Sequence, residues 1–297
     1  MDAYPQAVLV SSVKSFAMMK QFFGTDYAQR RMIVKEGDVL SLGSHELTFI
    51  AAPMIHWPEV IMTYDKKDQV FFSADAFGKF GALDIEDEWA CEARRYYFGI
   101  VGKYGAQVQA LLKKISSLKL RAICSLHGPV LSENLPYYLH LYDVWSSYGT
   151  ESEGVMIAYA TIYGNTAAAA EYLAEKLREK GRKKVAVNDL ARCDMAEAIE
   201  DAFRYGKIVL ASSTYNGDAF PFMREFIHHL IERGYKNRTI GLIENGSWAP
   251  TAAKVMRGML EGGKNLTLLE PAVKILSTMS EENKAQLDAM AEDLMRS

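Results

Sequence analysis

The chain has 297 residues, of which 49% are hydrophobic and 24% charged, and a formal net charge of −3 at pH 7. This length suits about two domains, each with an apolar core of its own. The slightly negative charge argues against a general nucleic-acid-binding protein, which needs a basic surface for phosphates. No apolar run reaches the roughly 18 residues of a membrane span, and MDAYPQAVLV lacks the basic segment of a secretory signal.

The cysteine pattern indicates a cytoplasmic protein. Cys91, Cys124 and Cys193 are odd in number and widely spaced along the chain. This spacing predicts reduced thiols without a disulfide framework. It also provides no CxxC pair for a zinc site or a rubredoxin-type iron site.

Residues 1–150 contain short elements at irregular intervals, and we interpret them as a first domain. Apolar, β-branched runs predict strands, and helical periodicity predicts helices. The predicted strands are 7–10, two within 34–52 on either side of Gly43-Ser44, 60–64, 70–75 and 121–125; the predicted helices are 12–23, with Ser12 as N-cap, 87–117 and 134–148. This order indicates a layered α/β domain.

Residues 151–297 alternate regularly between strand and helix, after the small polar linker SSYGTESEG (146–154). The predicted strands are 155–159, 184–189, 207–212, 238–244 and 269–276; the predicted helices are 166–180, 195–205, 222–234, 250–260 and one with the apolar stripe Leu287, Met290 and Leu294. Strict alternation requires a parallel sheet covered on both faces. The sequence therefore predicts a doubly wound, five-stranded parallel sheet.

The loop after the first strand of this second domain has the composition of a phosphate-binding site. Its candidate residues are Thr161, Ile162, Tyr163, Gly164, Asn165 and Thr166. Backbone N–H groups at a helix start carry partial positive charge and bind phosphate, and hydroxyls add hydrogen bonds. The loop lacks GxGxxG and the lysine of GxxxxGK[ST], which argues against a dinucleotide or ATP site and favours a terminal monophosphate.

The loops after the third and fourth strands carry matching chemistry. In a doubly wound domain the ligand lies beyond the carboxyl ends of the strands. The candidate residues there are Ser213, Thr214, Tyr215, Asn216 and Gly217 in one loop, and Asn245, Gly246, Ser247 and Trp248 in the other. Tyr215 and Trp248 could stack on a flat tricyclic ring, so the three loops together favour a flavin. The alternative for any one loop is a helix N-cap with aromatic rim packing.

Because of these three loops, residues 154–297 resemble a flavodoxin domain, and ENGSWAPTAAK (244–254) resembles the third flavin loop of flavodiiron proteins (A-type flavoproteins). The resemblance implies FMN, with its phosphate at residues 161–166 and its ring between Tyr215 and Trp248. In that family a metallo-β-lactamase-like αββα domain precedes the flavodoxin domain. Residues 1–150 are therefore expected to be such a domain, N-terminally incomplete; YYFGIVGKYGAQVQ (96–109) resembles its helical segment.

The resemblance also implies metal ligands just after three strands of the first domain. His56 in PMIHWPE and His127 in ICSLHGPV match terminal histidine ligands of two irons, and Asp75 in FFSADAFG matches the aspartate that bridges them. Imidazole and carboxylate suit iron. The family's upstream HxExDH motif, which supplies the other ligands, does not occur in the chain. We therefore expect Met1 to begin inside the family pattern and three ligands alone to hold two ions weakly.

None of the other histidines replaces that motif. We interpret His45, in the turn GSHEL, as a solvated residue and His140, on a Tyr- and Leu-rich helix, as a core or interface residue. His228 and His229 lie on a helix of the second domain, where adjacent side chains face different ways.

The function implied by the resemblance is FMN-dependent electron transfer to a diiron centre that reduces O2 to water, NO to N2O, or both. The expected partners are a donor such as rubredoxin or a flavin reductase, a gaseous substrate and a second copy in a head-to-tail homodimer, with no nucleic acid or membrane. One alternative is a flavodoxin-like electron carrier with a non-catalytic, metal-free remnant of the first domain. A hydrolase of the β-lactamase type would leave the flavin loops unexplained.

Overall fold

The computed structural model describes residues 1, 3–85 and 88–296. The chain divides into two compact units, Met1–Ser147 and Tyr148–Ser297. Each unit has buried hydrophobic residues of its own. No helix of the described ranges is both long enough and apolar enough to cross a membrane.

The first unit contains two sheets and four α-helices among its described residues. β1 (Leu9–Ser11) and β2 (Arg31–Ile33) form a parallel pair. The larger sheet has the order β3-β4-β5-β6-β7 and is antiparallel except between β6 and β7. Its strands are β3 (Val39–Ser41), β4 (Glu46–Ala51), β5 (Ile61–Asp65), β6 (Val70–Phe72) and β7 (Ala122–Cys124), and the helices are α1 (Val13–Phe23), α2 (Trp89–Ile100), α3 (Gly105–Ile115) and α4 (Leu135–Ser147).

The ends of α1 follow from local sequence. The Ser15 N–H donates to the Ser12 hydroxyl at 3.1 Å, which confirms Ser12 as the predicted N-cap. The helix ends at Gly24, which adopts the left-handed conformation with φ 72° that a residue without a side chain accepts readily.

The predicted helical stretch over 87–117 is helical from Trp89 to Ile115, but it is divided into α2 and α3 by a 3-10 turn at Gly102–Tyr104. Gly102 and Gly105 lower the intrinsic stability of a continuous helix at this point. Residue 87 itself lies outside the described residues.

An aromatic cluster fills the core of the first unit and fixes the loop after β6. Tyr142 is fully buried and lies with its ring centroid 5.3 Å from that of Tyr97 and 5.5 Å from that of Trp145. Phe77 stacks on Tyr142 at 4.1 Å and donates its N–H to the Tyr142 hydroxyl oxygen at 2.5 Å. The backbone next to Asp75 is therefore held by the core.

The second unit contains a parallel sheet of order β9-β8-β10-β12-β13, in which β14 also pairs with β12. The short β11 pairs antiparallel with the end of β10. The strands are β8 (Ser152–Ala160), β9 (Val185–Asp189), β10 (Tyr205–Tyr215), β11 (Asp218–Ala219), β12 (Lys236–Asn245), β13 (Lys264–Leu268) and β14 (Val273–Ile275), and the helices are α5 (Asn165–Glu179), α6 (Met195–Arg204), α7 (Pro221–Glu232), α8 (Ala252–Leu260) and α9 (Glu281–Arg296). This order is the predicted doubly wound sheet.

Both faces of this sheet are buried at its centre. Val155 and Ile157 face a fully buried cluster that includes residues of α5 and α9. Met156 and Ala158 alternate with them along β8, so they point to the opposite face, and they too are fully buried. Helices that cover both faces of the sheet thus explain why β8 is apolar along almost its whole length.

The last predicted strand, 269–276, is shorter than expected. Only Val273–Ile275 of this range forms a strand, and Lys264–Leu268 upstream is a strand that was not predicted. Pro271 lies in the interval and has no N–H for a sheet hydrogen bond. The edge position beside β12 is therefore filled by two separate segments.

Candidate functional site

The carboxyl ends of β8, β10 and β12 border a cavity of about 560 Å³ in the second unit. Its size is typical of a pocket for a small ligand or cofactor. All but one of the predicted flavin residues line it: Thr161, Ile162, Tyr163, Asn165, Thr166, Ser213, Thr214, Tyr215, Asn216, Gly217, Asn245, Gly246, Ser247 and Trp248. The structure therefore brings the three predicted loops together around one space.

Gly164 is the predicted residue that does not line the cavity, and its role is conformational. It precedes α5 with φ 88°, in the left-handed region, and its N–H donates to the Thr161 hydroxyl at 3.1 Å. The helical hydrogen bonds of α5 start with Ala168 N–H to Gly164 C=O. The N–H groups of residues 165–167, before Ala168, therefore have no acceptor within the helix. Such free N–H groups at a helix start can bind an anion.

The first two loops are joined by a hydrogen bond. The Thr166 side chain lies at the start of α5, is almost fully buried, and its hydroxyl lies 2.9 Å from that of Ser213. Since Ser213 belongs to β10, this bond fixes residues 161–166, the predicted phosphate-binding loop (here the phosphate-type loop), to the end of the neighbouring strand.

Thr214 lines the cavity and also supports a neighbouring helix. Its hydroxyl oxygen accepts the N–H groups of Thr251 and Ala252, at 3.0 and 3.2 Å. These groups lie at the start of α8, so Thr214 caps that helix from another loop. Its O–H remains a donor at the cavity wall.

Three aromatic side chains at the cavity are accessible. Tyr163 is 90% exposed, Trp248 is 83% exposed and Tyr215 is 46% exposed. Tyr215 is placed by a two-residue hairpin turn, in which Asn216 and Gly217 both have positive φ and join β10 to β11. Rings that are not used in the core are available to stack on a planar ligand.

Ala249 and Ser277 also line the cavity, and neither was predicted from the sequence. Ser277 follows β14, so it lies beyond the carboxyl end of yet another parallel strand. The rule that identified the other three loops applies to it as well.

In the first unit, Asp75 and His127 lie together. The His127 Nε2 and Asp75 Oδ1 atoms are 3.2 Å apart. Their loops follow the parallel strands β6 and β7 and continue to hydrogen-bond with each other: Ser73 N–H donates to Cys124 C=O at 3.0 Å and Leu126 N–H to Ala74 C=O at 2.8 Å. An imidazole nitrogen and a carboxylate at this separation suit one metal ion.

Gly78 permits this close approach. A Cβ at this residue would lie 2.9 Å from the His127 carbonyl oxygen and 3.1 Å from that of Asp75. These are backbone atoms, so a side chain here requires the two loops to separate.

Tyr96 lies beside the pair, with its ring centroid 5.8 Å from that of His127. Burial raises the pKa of the Tyr96 phenol above its ordinary value, and the Asp75 carboxylate raises it further. Tyr96 therefore keeps its proton and offers a neutral hydroxyl near the two candidate ligands.

His56 does not join them. It is half-buried between β4 and β5, with its ring centroid 6.1 Å from that of Trp57. Within the part of the chain that the structure describes, the one group of three candidate ligand atoms within 4.8 Å of one another is His45, Asp65 and Asp68. The structure thus brings together two of the three predicted metal ligands, as a partial site.

One interpretation of the other histidines needs correction. His45 is not simply solvated: its Nδ1 lies 2.6 Å from Asp65 Oδ2, because antiparallel pairing of β4 with β5 brings the two residues together. Of the two roles expected for His140, its exposure on α4 excludes the core role.

Comparisons with known proteins assign a different domain family to each half of the chain. The model of the ODP family beta lactamase matches residues 1–128, and the flavodoxin domain model matches residues 156–270. The anaerobic nitric oxide reductase flavorubredoxin of Escherichia coli O1:K1 / APEC is 28% identical over 228 residues, which cover 73% of this chain and 47% of that protein. Over both of its halves the chain is thus similar to flavodiiron proteins.

Another relative covers a similar share of the chain. A protein of Methanocaldococcus jannaschii described as uncharacterized is 27% identical over 205 residues, which cover 67% of this chain and 52% of that protein. The chain thus spans about half the length of the curated relatives it matches.

Solved structures show that the flavodiiron fold extends over nearly the whole chain. Rubredoxin oxygen:oxidoreductase from Desulfovibrio gigas superposes with a TM-score of 0.84 and 22% identity, covering 97% of this chain and 73% of that one. The flavodiiron protein from Giardia intestinalis superposes with a TM-score of 0.82, also at 22% identity, covering 97% and 72%. The predicted fold class and family resemblance are confirmed.

Proposed function

We propose that the chain is an FMN-dependent oxidoreductase that passes electrons to iron in its first unit, for the reduction of O2 to water, NO to N2O, or both. The observation that carries this proposal is the convergence of three polar and aromatic loops on one cavity beyond the carboxyl ends of β8, β10 and β12. When bound, FMN would supply storage for two electrons that leave singly, and iron would supply the binding and reduction of the gas.

The residues of the second unit fit each part of FMN. The N–H groups at the start of α5 and the hydroxyls of Thr161 and Thr166 would hold the phosphate. Tyr215 and Trp248 would contact the ring, exclude water from it and fix its orientation. No cationic side chain lines the cavity within the described residues, so amides and hydroxyls would hold the phosphate without a cationic side chain.

Asp75 and His127 fit as ligands of an iron ion in the first unit, since their ligand atoms already face each other. Tyr96 would hold a proton beside them. His56 would ligate the second ion that Asp75 bridges, and its ring lies outside the close Asp75–His127 pair in the described residues. The proposal for the metal is therefore strongest for the Asp75–His127 pair.

The proposed partners are a small electron donor of the rubredoxin or flavin reductase type and a second copy of the chain. Two relatives support the donor and the gases. The name of the D. gigas protein specifies rubredoxin and oxygen. The name of the E. coli relative specifies nitric oxide. A head-to-tail homodimer would bring the flavin of one copy to the iron of the other. The cytoplasm, where thiols stay reduced, is the proposed location.

Purification of the chain with added FMN and ferrous iron, followed by absorption spectroscopy and metal analysis, tests the proposal. We expect a yellow protein with one FMN, bound iron and O2 or NO consumption once a reductase supplies electrons. Bound FMN without iron would favour the flavodoxin-like carrier with a metal-free first unit. A colourless protein that takes up no FMN would contradict both.

A further inference from the structure

A fourth loop reaches the cavity, after β14. Ser277 lines the cavity together with the three flavin-type loops. β14 pairs with the end of β12 in parallel register, and Gly246 N–H extends this pairing to the Ile275 carbonyl at 3.1 Å. The loop after β14 is therefore anchored to the same sheet edge as the other three.

Asn245 hydrogen-bonds to the backbone of Ser277 through both the nitrogen and the oxygen of its side-chain amide; this pair of bonds is called the clamp below. The Asn245 side-chain NH2 group donates to the Ser277 carbonyl at 2.9 Å, and its oxygen accepts the Ser277 N–H at 3.0 Å. Asn245 is buried, with 6% of its surface exposed. Both polar ends of its side chain are thus used to hold the backbone of one residue of the fourth loop.

The clamp holds Ser277 in an unfavourable conformation. Its φ is 66°, in the left-handed region that costs a residue with a side chain free energy. A second contact joins its hydroxyl to that of Ser247 at 2.6 Å. Strained residues that several neighbours hold in place are concentrated at functional sites.

The position of this loop indicates which end of a ligand it meets. β8, which leads to the phosphate-type loop, is separated from β14 by β10 and β12. Neighbouring strands are about 4.8 Å apart, so three steps give about 14 Å. A ligand whose phosphate lies at the start of α5 would meet the fourth loop with its opposite end.

We infer that Ser277 binds the ring end of the flavin and that Asn245 is the positioning residue that holds Ser277 there. This inference rests on the proposed function. The Ser277 hydroxyl, oriented by Ser247, hydrogen-bonds to the polar edge of the isoalloxazine ring, while Thr166 acts at the phosphate. Asn245, predicted from the sequence as a flavin contact, acts through Ser277.

Riboflavin, which has the ring but no phosphate, separates the two ends. We expect Ser277→Ala to raise the dissociation constants of FMN and riboflavin by the same factor, about two- to tenfold for one hydrogen bond. Thr166→Val should weaken FMN and leave riboflavin unchanged. Fluorescence titration of each apoprotein variant with each flavin measures these four dissociation constants against those of the wild type. The midpoint potential of bound FMN should shift only in Ser277→Ala.

Asn245→Asp tests the positioning role, because it keeps the shape of the side chain and removes the donor to Ser277. It should weaken both flavins, and Ser277→Ala added to it should cause little further loss, since the two residues act as a unit. Ser280→Ala is the matched control: this serine follows on the same loop, bonds to Asn283 at 3.2 Å and does not line the cavity. It should leave both flavins unaffected.

The outcomes are distinguishable. Wild-type protein that binds FMN, with Ser277→Ala equal to wild type or impaired for FMN alone, would overturn the ring-end assignment and leave the proposed function standing. Additive losses in the double variant would overturn the positioning role of Asn245. Wild-type protein that binds neither flavin would contradict the proposed function and this inference together.

Discussion

The two units differ in how they support their candidate sites. In the second unit the central strands of the sheet are covered on both faces, and the site is built from loops at one end of them. In the first unit the β1–β2 pair contains no buried residue, and Met32 and Ile33 are 43% and 48% exposed. Parallel strands are normally buried on both faces. All three predicted flavin loops come together in the second unit, whereas two of the three predicted metal ligands come together in the first.

The largest contrast should appear between a buried phenylalanine of the second unit and an exposed one of the first. Phe226, on α7, is fully buried, and Phe22, on α1, is 65% exposed. Phe226→Ala should lower the free energy of unfolding of the second unit by roughly 3–5 kcal/mol. Phe22→Ala should change that of the first unit by about 0.5 kcal/mol or less. Urea unfolding followed by hydrogen-exchange mass spectrometry reports each unit; similar losses would refute the contrast.

A second test addresses the metal pair. Gly78→Ala should destabilise the first unit by roughly 1–3 kcal/mol, because the added Cβ pushes on the His127 and Asp75 carbonyls. Iron or cobalt bound per chain should fall with it. Gly99→Ala is the control: this glycine lies in α2 with open space around it, and alanine there should stabilise by about 0.5–1 kcal/mol. Unchanged metal uptake in Gly78→Ala would show that the pair is not the ligand site.

A third test uses two left-handed glycines, one in each unit. Gly164 (φ 88°) precedes α5 and Gly24 (φ 72°) follows α1, and at both residues an added Cβ would have no other atom within 4 Å. Each alanine variant should therefore lose about 1–2 kcal/mol of stability for conformational reasons alone. Only Gly164→Ala should also weaken FMN, measured by fluorescence titration. Equal FMN affinity in both variants would remove the first loop from the phosphate site.

The smallest effect is a pH dependence in the first unit. Burial raises the pKa of Asp65, but hydrogen bonds from His45 and from the backbone of Lys67 and Asp68 lower it, and the pKa lies below its ordinary value. This stabilisation is complete above the unfolded pKa of about 3.9 and is lost as pH falls through the folded value. Asp65→Asn should thus be less stable than wild type at pH 6 in urea unfolding, with the difference shrinking below about pH 4. A constant difference would contradict this account.

The sequence was informative where chemistry follows from local order. Strict strand–helix alternation predicted the doubly wound sheet, and the residues after three strands predicted the cavity because parallel strands end at one edge. The sequence did not predict contacts between residues that are far apart along the chain. Thr214 caps α8 through a contact with residues 251 and 252, and His45 meets Asp65 across a strand pair; neither partner is adjacent in sequence. Ser277 directly follows the predicted strand 269–276 and was missed because its loop, STMS (277–280), has neither the glycine nor the aromatic residue that marked the other loops.

The interruption of the edge strand has a consequence for how this protein can diversify. Because residues 269–272 lie outside β13 and β14, the two segments are held to β12 by separate hydrogen bonds. Insertions or deletions in this interval can alter the approach of the chain to Ser277 while β8 and the start of α5 stay in place. If Ser277 binds the ring end of the flavin as inferred above, such changes would retune the reduction potential of the flavin without changing the phosphate end.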